Sequence, residues 1–242
     1  MANKSHSQSL DRLVEELRNA HGENLTSIVL YGSAAAGEAV PQDSDHNLLV
    51  VLQRIAAKDL RASQKPLAAW IKAGEPPPVY FTVEELQRAA DVFPIEFTQM
   101  EKAREVLFGR DPFELVEISR ANLRHQTEYE LRSKLIQLRR LFVPASVSVE
   151  KLAALMSDSL ASFAALFRSV LILHGEEPPV SKAGSVLATV KLLGLNAEPF
   201  ERIRELRGKG RLKLTEADAD SLFSAYMDEI ERVIQAVDRL QN

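Results

Sequence analysis

The sequence predicts an α/β (α+β) protein: a small mixed-sheet domain followed by an antiparallel helix bundle. Two short apolar runs, "LTSIVLYG" and "HNLLVVL", read as buried strands on either side of a Gly-Ser turn. Beyond Pro112 the texture changes to helical periodicity, with no strand signal left. Ala, Leu, Glu and Arg dominate throughout, which favours helix. With 242 residues the chain is long for one domain and comfortable for two. The expected division is 1–112 and 113–242.

Taken in order, Ser9 is placed to cap a helix running to about Ala20, with Leu10, Leu13, Val14 and Leu17 as its apolar stripe. "LTSIVLYG" follows as a strand ended by Gly32, and "HNLLVVL" as its neighbour. Residues 58–73 read as a helix with Leu60, Leu67, Ala68 and Ile71 inward. The prolines of "PPPVYFTV" stiffen the approach to a third strand. "VEELQRAAD" is a short helix, "FPIEFTQM" a fourth strand, and "VLFGRDPF" a strand and turn. In the second half Leu131, Leu135, Leu138 and Phe142 recur at helical spacing, as do Leu152, Met156, Leu160, Phe163, Phe167 and Val170. "SKAGSVLATVKLLGL" and "EPFERIREL" are shorter helices. Thr215, with Glu216 and Asp218 after it, opens a last helix through Leu222, Tyr226, Ile230, Val233, Val237 and Leu240. This is a bundle pattern.

The composition, 45% hydrophobic and 26% charged, is that of a globular protein. No uninterrupted apolar run approaches the ~18 to 20 residues that span a bilayer, and "MANKSHSQSLDRLVEEL" has no apolar signal core. Without cysteine, disulfides, thiolate metal sites and a cysteine nucleophile are excluded. A cytoplasmic protein without a membrane partner is expected. The net charge of -4 argues against electrostatic binding of long nucleic acid. Residues 1–112 hold 12 Lys+Arg against 16 Asp+Glu, hence -4, while the rest hold 18 of each and balance.

Chemistry concentrates in "IVLYGSAAAGEAVPQDSDHNLLVVL". A strand that ends in Gly32-Ser33 and turns into a short helix leaves N–H groups for an anion, and the Ser33 hydroxyl can donate as well. Asp45 and Asn47 stand one strand period apart, so both side chains leave one face, with His46 and Leu48 on the other. A carboxylate pair on a strand suits Mg²⁺, which prefers oxygen ligands. Glu96, inside the apolar "FPIEF", is placed to add an acid from a neighbouring strand, or else faces solvent at a sheet edge.

Together these residues resemble the polymerase β-like nucleotidyltransferase superfamily: strand, Gly32-Ser33, Gly37, then Ser44-Asp45, and later Glu96. The resemblance covers about the first 110 residues; the bundle is similar only in outline to the partner domains of small nucleotidyltransferases, including aminoglycoside-modifying ones. It implies that Gly32, Ser33, Ser44 and Asn47 hold the nucleotide. It also implies that Asp45, Asn47 and Glu96 ligate Mg²⁺ or Mn²⁺, with Asp45 and Glu96 catalytic. Glu96 would bind the second metal and assist deprotonation of the acceptor hydroxyl. The implied reaction passes a nucleoside monophosphate from an NTP to a hydroxyl on a small molecule or protein. Two positions depart from the pattern. Ala36 stands where many members have arginine, and Asn47 replaces the second carboxylate of Asp-x-Asp. An asparagine offers one neutral oxygen and cannot bridge two metals as an anion. The alternative is therefore a non-catalytic nucleotide- or partner-binding module.

Elsewhere, "RIRELRGKGRLK" has six basic residues and one acid, a solvated connector or a contact for triphosphate or RNA. Lys182 reads as a surface residue near a helix start. Arg168 and His174 fall in the spacing window of the R-x(4–6)-H motif of HEPN ribonucleases, although a packed histidine explains the same pattern. Trp70 reads as core.

Overall fold

Apolar residues run without alternation through β1 (Leu25–Tyr31) and β2 (Asn47–Leu52) because both faces of their sheet are covered. The computed structural model describes residues 2–32, 46–179, 181–206 and 214–240. It divides into two compact units, Met1–Ser119 and Arg120–Asn242.

In the first unit, α1 (Ala2–His21) leads into β1 and β2, followed by α2 (Ala57–Ala62), α3 (Gln64–Lys72) and β3 (Val79–Thr82). Then come α4 (Val83–Ala89), α5 (Pro94–Lys102) and β4 (Arg104–Gly109). The strand order is β3-β2-β1-β4. β1 runs antiparallel to β2 and β4, whereas β2 and β3 are parallel. On one face Ile28, Leu30, Leu48, Val50 and Leu52 pack with Leu13 and Leu17 of α1 and Leu67 and Trp70 of α3. On the other, Val29, Leu49 and Val51 meet Leu86 of α4, Phe97 and Met100 of α5, and Phe113 and Val116. The core of this unit thus continues past Pro112.

Three local expectations are corrected. α1 begins at Ala2, so Ser9 lies inside it and is no cap. The helix expected over 58–73 is two, α2 and α3, separated at Ser63, whose buried hydroxyl bonds His21 Nε2 at 2.8 Å. "FPIEFTQM" is helix α5, not a strand. Pro94 occupies its first turn, where a missing N–H costs nothing, and Ile95, Phe97, Thr98 and Met100 are buried at helical spacing.

The second unit contains α6 (Arg120–Ala145), α7 (Val149–Leu173), α8 (Lys182–Leu193), α9 (Glu198–Leu206) and α10 (Glu216–Asp238). α6 and α10 are antiparallel: Arg132 pairs with Asp238 at 3.7 Å, and Arg139, further along α6, pairs with the earlier Glu231. α7 is long and apolar enough to cross a membrane by length and composition alone. Here it is a core helix, with Leu152, Met156, Leu160, Phe163, Phe167 and Val170 buried. Phe163 and Phe200 meet the Tyr226 ring edge-on at 6.2 and 5.9 Å. Thr215 caps α10 in a reciprocal box with Asp218.

Candidate functional site

The polar residues of the sheet gather where β1 and β2 leave the core. Tyr31 ends β1 opposite Asn47, which begins β2, and Arg104 of β4 flanks Tyr31 on the other side. Gly32 follows with φ +87°, a conformation that L side chains rarely adopt. Its N–H donates to the Ala103 carbonyl at 2.9 Å. A Cβ added there would come within 3.3 Å of Asn47 Nδ2. Gly32 and Asn47 are therefore in contact range. Burial raises the Tyr31 phenol above its ordinary pKa, keeping it protonated.

Ser33, Ala36, Gly37, Ser44 and Asp45 lie outside the described residues. Asn47 is half-buried, and strand alternation puts it on the face of Leu49 and Val51. Glu96 is not on a strand. It is exposed in the first turn of α5, where a carboxylate complements the helix dipole. α5 packs on that same sheet face through Phe97 and Met100. β3, the strand beside β2, reads Val-Tyr-Phe-Thr and carries no acid. Among the described residues no group of three or more His, Asp or Glu is arranged to hold a metal.

Sequence reasoning passed over Glu75. Its carboxylate accepts from the His46 backbone N–H at 2.9 Å and lies 3.0 Å from His46 Nδ1. Arg104 was also missed: its guanidinium pairs with Asp111 at 2.7 Å and stacks over Phe113 at 5.4 Å. No spacing rule links residue 46 to 75; only the adjacency of β2 and the segment after α3 does.

No protein-family model matches the chain, and no curated protein matches it in sequence. A solved structure does: spectinomycin adenyltransferase AAD(9) from Enterococcus faecialis, crystallised with ATP and spectinomycin. The TM-score is 0.56, over 93% of this chain and 99% of that one, at 14% identity. The chain shares the fold of that enzyme. At that identity the likeness shows the fold alone.

In the bundle, Arg168 and His174 bond to backbone carbonyls. Arg168 Nη1 donates to the Pro179 carbonyl at 2.5 Å, and His174 Nδ1 lies 2.8 Å from the Val170 carbonyl one turn back. Both bonds lie at or just beyond the end of α7. Lys182 and Arg204 rim a cavity of about 220 Å³ floored by Leu160, Ala164, Val186 and Ile203. Of "RIRELRGKGRLK", residues 202–206 belong to α9 and the remainder lie outside the described residues.

Proposed function

We propose that the protein transfers a nucleoside monophosphate from an NTP to a hydroxyl of a small molecule or protein, using a divalent metal at an altered site. The observation that carries this is the Gly32–Asn47 contact at the adjoining ends of β1 and β2, in a fold shared with an adenyltransferase. In this reading Gly32, free of a side chain and at a positive φ, lets a phosphate come close to the turn, and the Ser33 hydroxyl is assigned to bind it. The acceptor oxygen attacks the α-phosphorus, the bond to the β-phosphate oxygen breaks, and pyrophosphate leaves. The proton of the acceptor is assigned to the Glu96 carboxylate, exposed in the first turn of α5, on the family resemblance.

The donors assigned to the metal are the Asp45 carboxylate, the Asn47 amide oxygen and the Glu96 carboxylate. An all-oxygen set fits Mg²⁺ or Mn²⁺. When bound, the metal neutralises phosphate charge as it builds up in an in-line displacement. With Asn47 neutral the protein contributes about -2 rather than -3, which weakens metal binding. That deficit favours a second reading, a nucleotide-binding module whose transfer activity has lapsed. Calorimetry with each NTP, with and without Mg²⁺ or Mn²⁺, followed by mass spectrometry of acceptors incubated with the protein, separates the two. Binding with a nucleotide-sized mass gain on an acceptor is the expected result; spectinomycin, bound by AAD(9), is a first acceptor to try.

A further inference from the structure

We infer that Glu75 is a positioning residue for the metal-binding strand and acts through His46. This rests on the nucleotidyl-transfer reading and adds to it a residue that the family resemblance does not assign.

His46 stands between Asp45 and Asn47, at the point where β2 begins. By alternation its side chain leaves the face opposite that of Asn47, so whatever fixes its ring fixes the rotation of β2 where it presents Asn47. Glu75 fixes both parts of it. One carboxylate oxygen accepts from the His46 backbone N–H at 2.9 Å, and the other lies 3.0 Å from ring Nδ1. The two side chains are only 19% and 15% exposed, so water competes weakly for these bonds. The clamp is itself braced. Trp70 Nε1 donates to the Pro76 carbonyl at 2.8 Å, holding the segment that carries Glu75, and the Trp70 ring meets the His46 ring edge-on at 6.1 Å. Trp70 is in turn buried in the core beneath α1 and α3. The closed path of His46, Glu75, Pro76 and Trp70 thus ties the start of β2 to the rigid core. Support of this kind around ligating residues typically sets metal affinity by about tenfold to a hundredfold.

The test compares full-length wild type, Glu75→Ala and Glu75→Gln by two measurements. Hydrogen exchange reads the clamp without nucleotide: Glu75→Ala should speed exchange at the His46 amide and leave Val29 unchanged, with Glu75→Gln between. Calorimetry with ATP reads the site: Glu75→Ala should weaken Mn²⁺-dependent binding about tenfold or more. Metal-free ATP binding, made by the Gly32 turn, should not change; a merely structural loss lowers both. Glu75→Gln, which keeps an acceptor for the backbone N–H, should recover part of the affinity. If Glu75→Ala does not fold, His46→Ala, which removes only the ring bond, is read the same way. Unchanged exchange, or faster exchange with unchanged Mn²⁺ dependence, overturns the inference alone. A wild type that binds no ATP sinks the nucleotidyl-transfer reading and this inference with it, and is told apart because exchange at His46 still rises.

Discussion

The two units employ their polar side chains differently. In the bundle they tie down helix ends: Arg168 on the Pro179 carbonyl, His174 on Val170, Arg232 on the Gly194 carbonyl and Glu229 on the Asn196 N–H. These pairs close structure that is otherwise an apolar and aromatic core. In the sheet unit both faces of the central strands are apolar, so polar groups collect at strand ends, where Gly32 adjoins Asn47 and Glu75 bonds His46. A sheet covered on both faces leaves its strand ends and edges for chemistry. The contrast motivates the proposal of the β1–β2 end as the site and treats the bundle's bonds to backbone as scaffolding.

The sharpest way to break this contrast is to damage each unit in its own currency. Tyr226, fully buried among Phe163 and Phe200, also receives the Ser159 hydroxyl at 3.2 Å. Tyr226→Ala should cost about 3–5 kcal/mol in urea unfolding, the usual toll for emptying a large aromatic site. Gly32→Val should instead abolish ATP binding in calorimetry, with a smaller stability loss of about 1–3 kcal/mol from the positive φ. If Gly32→Val binds ATP normally, the turn does not hold the phosphates.

Much of this contrast was legible in the sequence. The stripe from Leu152 to Val170 and the Thr215 cap specify their helices through burial and local bonds that depend on near neighbours. β1 and β2 were equally plain, because runs such as "NLLVVL" suit only a strand covered on both faces. α5 was misread because Ile95, Glu96 and Phe97 mimic strand alternation; Pro94 was the overlooked start signal. The Glu75 clamp was beyond reach, since it depends on the parallel pairing that brings the segment after α3 beside β2. The position of Glu96 required knowing that it rides on a helix.

A smaller effect should appear with pH. Burial holds the His21 imidazole below its ordinary pKa of 6.5, opposed by the nearby Asp59 carboxylate, while Ser63 bonds its Nε2. The unfolded chain therefore takes up the proton first as pH falls. Stability is complete above about pH 6.5 and declines below it. Urea midpoints should drop between pH 7.5 and pH 5.5 in wild type and drop less in His21→Gln. Equal slopes would remove His21 from the account.

The most direct test of the central claim is the metal dependence of ATP binding in wild type, Asn47→Asp and Asp45→Asn. A charge added or removed some 4–5 Å from a divalent ion is worth roughly 1–3 kcal/mol after screening, or about one to two decades of affinity. Asn47→Asp should tighten Mn²⁺-dependent binding by that amount, and Asp45→Asn should weaken it. Transfer to an acceptor before the change marks a working enzyme, and transfer only after it marks a lapsed one. If wild type binds no NTP with metal present and neither substitution alters the response to Mg²⁺ or Mn²⁺, the β1–β2 end is not a metal–nucleotide site.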